Sequence, residues 1–316
     1  GWKREAALRK ARQLLAVCAE PGLLAGQAVH TSASIGIAMG EADGHVGDDL
    51  LRDADIAMYE AKRAGRATAV FFDPCMHAQL QRKLSVEVAL RQAIERREFS
   101  LVYQPIVDLE TGSVTAVEAL LRWTHPELGE VQPAEFMPLA EDTSLGVPLG
   151  EWVLREACQH WMAWWRELGD QAPPVLSVNM SRAQMLQADR LVAHVMAVLA
   201  ETGMPARRLQ LEITERDLTK DTPSAHALLL RLRALGLRLA MDEFGTGGST
   251  LTSLRDHPFE LVKIDKALLQ GIADNPDVLA VVHATVTLIE NLGLASVAEG
   301  VEDAAMLHRL QGFGCE

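Results

Sequence analysis

No run of about 18 consecutive apolar residues occurs in this 316-residue chain, so no segment is expected to cross a bilayer or contact a membrane. Cysteine is scarce and scattered. Cys18, Cys75, Cys158 and Cys315 form no Cys-x-x-Cys pair, which excludes a structural zinc ribbon and a disulfide scaffold and suits a reducing cytoplasm. Positive charge is also short: 30 Lys and Arg face 43 Asp and Glu, a formal charge of −13. Without a diffuse basic field, polymeric DNA or RNA is not an expected partner. A phosphorylated small molecule stays open, because divalent metals held by carboxylates supply positive charge locally. There is no initiator Met and no signal peptide, and the chain stops at Phe313-Gly314-Cys315-Glu316 just after a helical pattern. A fragment cut at both ends is the expectation.

What is present is the composition of a folded protein, 48% hydrophobic and 23% charged, in a length that suits roughly two domains. Residues 1–75 carry 9 basic and 10 acidic side chains and residues 76–316 the remaining 21 and 33, so the acidity sits in the second part. Trp2 to Glu20 has helical apolar spacing, His30 to Met39 alternates as a strand, and Val70-Phe71-Phe72 is a short strand. Between the strands, Asp48 to Ala64 reads as an amphipathic helix with Leu50, Leu51, Ala54, Ile56, Ala57 and Ala61 toward a core. Residues 77–97, rich in Leu, Glu, Arg and Ala without Pro or Gly, suit a helical connector. The domain reading is therefore 1–75, a connector at 76–97, and a second domain from 98 to 316.

In that second domain strand and helix patterns alternate. Candidate strands are 100–107, 114–123, 175–179, 208–213, 238–242, 261–264 and 294–298; candidate helices are 147–168, 188–201, 223–235, 276–292 and 303–311. Seven strands with intervening helices predict a (β/α) barrel one strand short. Polar residues recur within or at the ends of successive strands: Glu118, Asn179, Glu212, Asp242 and Glu243, Lys263 and Asp265, and Glu299. In such a barrel they meet at the C-terminal rim, where active sites are built. Solvated loop charges or helix caps account for any one of them but not for the recurrence. Converging carboxylates without matching cations raise one another's pKa values, and a divalent cation relieves them. All-oxygen ligands suit Mg2+ or Mn2+, and a pair of ions serves a phosphoryl displacement. A metal-dependent phosphoesterase follows from the chemistry.

Glu118-Ala119-Leu120-Leu121-Arg122-Trp123, preceded by Tyr103-Gln104-Pro105-Ile106-Val107, resembles the signature of EAL-domain cyclic-di-GMP phosphodiesterases. The resemblance continues through Asn179-Met180-Ser181, Glu212-Ile213-Thr214-Glu215, Asp242-Glu243-Phe244-Gly245-Thr246-Gly247, Val262-Lys263-Ile264-Asp265 and Ala298-Glu299-Gly300-Val301-Glu302. The first part is similar to the second half of a GGDEF (diguanylate cyclase) domain, through Ser32-Ala33-Ser34-Ile35-Gly36-Ile37-Ala38, Ala54-Asp55-Ile56-Ala57-Met58-Tyr59-Glu60-Ala61-Lys62 and Gly65-Arg66. The implied architecture is an EAL-type (β/α)8 TIM-like barrel, its last strand missing, behind a partial α+β GGDEF domain. The loop that names the cyclase domain would lie upstream of Gly1, so no cyclase activity is expected; Lys62 and Arg66 match its phosphate-contacting positions or are solvated helix charges.

The resemblance implies hydrolysis of cyclic-di-GMP to linear pGpG with two Mg2+ or Mn2+ ions. Glu118, Asn179, Glu212 and Asp242 would hold the first ion, and Asp242 with Glu243 the second. Lys263 and Glu299 would orient or deprotonate the attacking water, with Asp265 and Glu302 in support. Gln104 and Arg122 would contact the substrate, and Glu215 would brace the loop from Asp242 to Ser249. A homodimer through the EAL domain and a cytoplasmic location, with any membrane anchor upstream, are further implications. The sequence departs from the family's Asp-Asp-Phe-Gly-Thr-Gly-Tyr-Ser-Ser at Glu243, Gly248 and Thr250. The extra methylene of Glu243 moves its carboxylate by roughly 1.5 Å, and Gly248 adds an entropic cost to ordering the loop. Alternatives are therefore a catalytically weak cyclic-di-GMP receptor and a protein-interaction module. Trp152, Trp161, Trp164 and Trp165, at helical spacings, read as packing or oligomer contacts, and His125 and His257 as loop residues.

Overall fold

The computed structural model describes residues 4–24, 27–29, 31–40, 47–218, 222–246 and 251–315. The chain divides into two compact units, Gly1–Ala89 and Leu90–Glu316. In the first, helix α1 (Arg4–Ala19) leads to strands β1 (Gly22–Leu24) and β2 (Gln27–Val29), which pair antiparallel. Strand β3 (Ile35–Ile37), helix α2 (Gly47–Arg63) and strand β4 (Ala69–Phe71) follow, with β3 and β4 parallel. The strand expected over 30–39 is thus only its central Ile35–Ile37.

Helix α2 buries Ile56, Ala57 and Ala61 as its spacing predicts, but Leu51 is exposed and Asp53 is buried. The buried stripe therefore runs through Asp53, Ile56, Ala57 and Ala61 and leaves Leu51 outside it. Gly36 explains how closely α2 approaches: a Cβ built there would lie 1.9 Å from the Ala54 carbonyl oxygen, so only glycine admits the contact between β3 and α2. Helix α3 (Pro74–Ala93) follows, and the division between the units falls inside it.

The second unit opens with an antiparallel hairpin, β5 (Phe99–Val107) and β6 (Val114–His125), extended by a short third strand, β7 (Gly129–Val131). Two helices, α4 (Pro133–Asp142) and α5 (Gly146–Leu168), then lead to β8 (Leu176–Asn179). Helices α6 (Arg182–Met185) and α7 (Ala188–Thr202) precede β9 (Leu209–Thr214), and α8 (Glu215–Leu218) and α9 (Thr222–Ala234) precede β10 (Arg238–Phe244). After α10 (Leu251–Asp256) come β11 (Leu261–Ile264), α11 (Lys266–Leu269), α12 (Pro276–Asn291), β12 (Ala295–Ala298) and α13 (Ala304–Gly312).

The sheet order is β5-β6-β8-β9-β10-β11-β12, parallel from β6 onward, with β5 reversed. The sheet curls as a barrel. Ile106 of β5 and Val297 of β12 line the same clefts, and Gln311 Nε2 donates to the Leu109 carbonyl 2.7 Å away. Among the described residues no ladder joins β12 to β5. The parallel strands are buried on both faces: Leu176, Val178, Leu209, Leu211, Ile213, Leu239, Met241, Val262 and Ile264 on one, and Ser177, Gln210, Glu212, Ala240 and Lys263 on the other. Trp161 is wholly buried, donates its indole N–H to the Pro173 carbonyl at 3.0 Å and stacks on Trp165. Trp152 packs beside Phe99, and Trp164 lies edge-on to Tyr103.

Candidate active site

A strand sends alternate side chains to opposite faces, so a parallel strand can pack helices with one set and aim the other into the barrel. Ser177 and Asn179 of β8, and Gln210 and Glu212 of β9, are two apart in this way. Ser177 Oγ donates to Glu212 Oε1 at 2.5 Å and accepts from Gln210 Nε2 at 3.0 Å. Asn179 Nδ2 donates to Glu118 Oε1 at 2.6 Å.

Lys263, on β11, stands at the centre of this polar interior. Its side chain is 2% exposed, and its Nζ lies 2.8 Å from carboxylate oxygens of Glu118, Glu212 and Glu299 and 3.5 Å from Asp242. Four strands and the turn after β12 thus deliver one ammonium and four carboxylates to a single point. Burial alone disfavours the ammonium, but the carboxylates of Glu212, Asp242, Glu118 and Glu299 outweigh it and hold Lys263 well above its ordinary pKa. Glu212 is also raised, first by burial, with Glu118 and Asp242 adding to it against the opposing pull of Lys263. Burial likewise raises Glu299, against Lys263. Lysine and glutamate shift up together for different reasons: the surrounding carboxylates raise the lysine, and burial first raises the glutamates.

The remaining site candidates divide between this centre and its surroundings. Gln104 pairs with Glu118 across the β5–β6 ladder, and together with Lys263, Asp265 and Glu299 they line a cleft of about 650 Å3. Arg122 donates Nη1 to the Leu121 carbonyl at 2.9 Å and borders a smaller hollow of about 270 Å3, shared with Asn179, Glu141, Gln184 and Asp217. Asp265 caps α11, accepting from the Ala267 N–H at 2.7 Å. Glu215 is buried at the start of α8. Glu302 is exposed and is not among the carboxylates at Lys263. Glu243 follows Asp242 with a positive φ of 55°, and its carboxylate lies 3.7 Å from Arg216. Burial raises its pKa and Arg216 opposes the rise. Gly248 and Thr250 lie outside the described residues.

The donor set around Lys263 is all oxygen, carboxylates and an amide, which is the chemistry Mg2+ and Mn2+ select. Its surplus negative charge, four carboxylates around one ammonium, is what a divalent cation neutralises. Among the described residues no three acidic, histidine or cysteine side chains stand grouped for direct ligation; the carboxylates close on the ammonium instead. By its donor chemistry the site fits such an ion.

The family pattern of the EAL domain matches residues 87–316. The chain belongs to the EAL domain family. Ahead of the EAL domain, the pattern of the diguanylate cyclase, GGDEF domain matches residues 3–68. The chain is 40% identical over 305 residues to the bifunctional diguanylate cyclase/cyclic di-GMP phosphodiesterase MucR of Pseudomonas aeruginosa, covering 96% of this chain and 44% of MucR. A cyclic di-GMP phosphodiesterase of the same organism is 40% identical over 306 residues, covering 96% of this chain and 51% of that protein. The solved MucR phosphodiesterase in complex with c-di-GMP superposes with a TM-score of 0.69 at 40% identity, covering 73% of this chain and 93% of that one. The chain spans about two-fifths of the length of several curated relatives, from 36% in a Sinorhizobium fredii protein to 44% in MucR. Solved EAL domains form a TIM-like barrel, which is the architecture of residues 90–315 here. No helix among the described residues is long and apolar enough to cross a membrane.

Sequence reasoning passed over Ser177, Gln210 and Arg216. The first two were signalled by the alternation in Leu176-Ser177-Val178-Asn179 and Leu209-Gln210-Leu211-Glu212, where every second residue is polar inside an otherwise apolar strand. Nothing local in the sequence marks Arg216.

Proposed function

We propose that this EAL domain is a metal-dependent phosphodiesterase that hydrolyses one bond of cyclic-di-GMP to give linear pGpG. The observation that carries the reading is the convergence of Glu118, Glu212, Asp242 and Glu299 on Lys263 inside a barrel of the EAL family. Glu118, Asn179, Glu212 and Asp242 would hold one Mg2+ or Mn2+, and Asp242 with Glu243 a second. When bound, such ions neutralise the carboxylates and the phosphate and polarise the phosphoryl oxygens.

The protein groups have separate tasks. Glu299 is the most exposed of the four carboxylates at Lys263, and its raised pKa suits it to take a proton from water entering the cleft. Water oxygen gives its proton to Glu299 and attacks phosphorus, the bond from phosphorus to the 3′ oxygen breaks, and that oxygen leaves with a proton taken from solvent. Lys263, charged across the physiological range, orients the water and the carboxylates. Gln104 and Arg122 bind the substrate on either side of Glu118, the guanidinium being suited to bidentate phosphate contact. Asp265 and Glu302 support the rim. Homodimerisation through the EAL domain and a cytoplasmic location complete the proposal.

A second reading, a weakly catalytic or inactive cyclic-di-GMP receptor, draws support from one feature: Glu243 is drawn to Arg216 and not to the cluster at Lys263. One assay separates the two. The chain is incubated with cyclic-di-GMP and Mg2+ or Mn2+ and the products are resolved by chromatography. Multiple-turnover pGpG that disappears in Glu118→Ala supports the enzyme. Nucleotide binding without pGpG, restored by Glu243→Asp, supports the receptor.

A further inference from the structure

Glu243 and Arg216 are brought together by the strand register. Thr214 at the end of β9 pairs with Asp242 of β10, so the residues just beyond each, Arg216 on α8 and Glu243, emerge at the same edge of the rim. The backbone fixes the direction of Glu243. Its N–H donates to Asp242 Oδ1 at 2.8 Å, and its carbonyl accepts from Thr246 Oγ1 at 3.0 Å. Its φ of 55° lies in the left-handed region that side-chain-bearing residues seldom occupy. From this constrained backbone the carboxylate spans 3.7 Å to the Arg216 guanidinium. An aspartate, shorter by roughly 1.5 Å, falls short of that contact.

We propose that Arg216 is a positioning residue that holds the Glu243 carboxylate aside and so sets the affinity of the second divalent ion. Binding that ion exchanges the guanidinium at Glu243 for the cation, while Asp242, the other ligand, keeps its contact with the Lys263 ammonium at 3.5 Å. The inference rests on the reading of Glu243 as a ligand of the second ion. Both side chains are substantially exposed, 70% for Arg216 and 41% for Glu243, so their attraction is modest and screened by salt. The effect is therefore a tuning of affinity by a small factor. It makes occupancy of the second position depend on ionic strength more strongly than that of the first, which is centred on buried Glu212.

The test is Mn2+ binding to the whole chain without nucleotide, followed by titration calorimetry and by the electron paramagnetic resonance of unbound Mn2+. The wild-type chain is expected to take up two ions of unequal affinity. Arg216→Ala tightens the weaker one by about two- to five-fold, the scale of an exposed ion pair, and leaves the tighter one unchanged. Arg216→Lys, which keeps the charge, stays near wild type. Raised salt narrows the difference between wild type and Arg216→Ala. In a Glu243→Asp background the Arg216→Ala effect vanishes, because the shorter side chain no longer reaches the guanidinium.

Two ions bound with a weaker affinity that is unmoved by Arg216→Ala, or moved equally in the Glu243→Asp background, overturn the role of Arg216 and leave the two-ion site standing. Fewer than two ions bound to the wild-type chain overturn both.

Discussion

Lys263 is the residue on which the site's electrostatics turn. With its ammonium removed, Glu118, Glu212, Asp242 and Glu299 face one another in a largely buried space, and breaking a buried charge cluster by deleting one partner costs about 3–5 kcal/mol. Lys263→Met is expected to show that loss in urea unfolding with EDTA present. Millimolar Mn2+ is expected to recover most of it, because the ion supplies the missing positive charge. Equal destabilisation with and without Mn2+ rules the carboxylates out as an ion-binding set. Glu212→Gln behaves in the opposite way. It keeps a side-chain oxygen for the Ser177 hydroxyl while removing one of the crowded negative charges. Unfolding free energy without metal stays level or rises, while pGpG formation falls by about 100-fold, the scale of a lost electrostatic stabiliser. A Gln variant that is both less stable and fully active contradicts this account.

Much of this was legible in the sequence at single positions. An acidic or amide residue within or near the end of an apolar strand appears at 118, 179, 212 and 242, and barrel topology makes those positions neighbours. What the sequence does not carry is the direction in which each side chain turns. Asp265 is spent on a helix cap, Glu302 is exposed, and Glu243 leans to Arg216 and away from Lys263.

At the scale of elements, the seven main barrel strands and the long helices were readable because their apolar period is sustained over several turns or pairs. The short pieces were not. Helix α4 opens favourably on Pro133 but carries Pro138 inside it, which argues against a helix until Phe136, Leu139 and Ala140 are seen buried. Helix α6 is held by a capping box between Ser181 and Gln184, whose amide packs so close to α5 that a Cβ at Gly150 would lie 2.3 Å from it. Gly150→Ala therefore has to displace Gln184 and break the box, at a cost of about 1–3 kcal/mol. Calorimetric melting reads that loss, and an unshifted melting temperature contradicts it.

A second prediction at this scale concerns pH. His257, just after α10, is buried, with Nε2 lacking a partner and Nδ1 3.3 Å from His226 Nδ1 of α9. Burial first, and His226 second, hold its pKa below the ordinary imidazole value, with Asp256 opposing. The folded state therefore binds fewer protons than the unfolded state below about pH 6.5. Stability is fully present above that pH and falls as the solution is acidified through the lowered pKa. Urea midpoints between pH 8 and pH 5 are expected to drop more steeply for the wild type than for His257→Phe, and parallel curves reject the assignment.

At the scale of the whole chain, the division into Gly1–Ala89 and Leu90–Glu316 assigns the entire Lys263 site to the second unit. A ligand that binds only the folded form stabilises by about 2.7 kcal/mol at a hundred times its dissociation constant, and for a unit of this size that is a rise of roughly 5–10 °C in melting temperature. Scanning calorimetry with Ca2+, a hard cation that takes oxygen ligands without being assumed to support turnover, and saturating cyclic-di-GMP should then raise only the transition that belongs to the second unit. Lys263→Met, measured alongside, labels that transition by lowering it in EDTA. If nucleotide moves the other transition, the binding site lies outside the barrel rim and the reading built on Glu118, Glu212 and Lys263 fails. If both move together, the two units unfold as one body, and the acidic rim stabilises the whole chain through a coupling that the pattern of residues 1–75 and 98–316 does not encode.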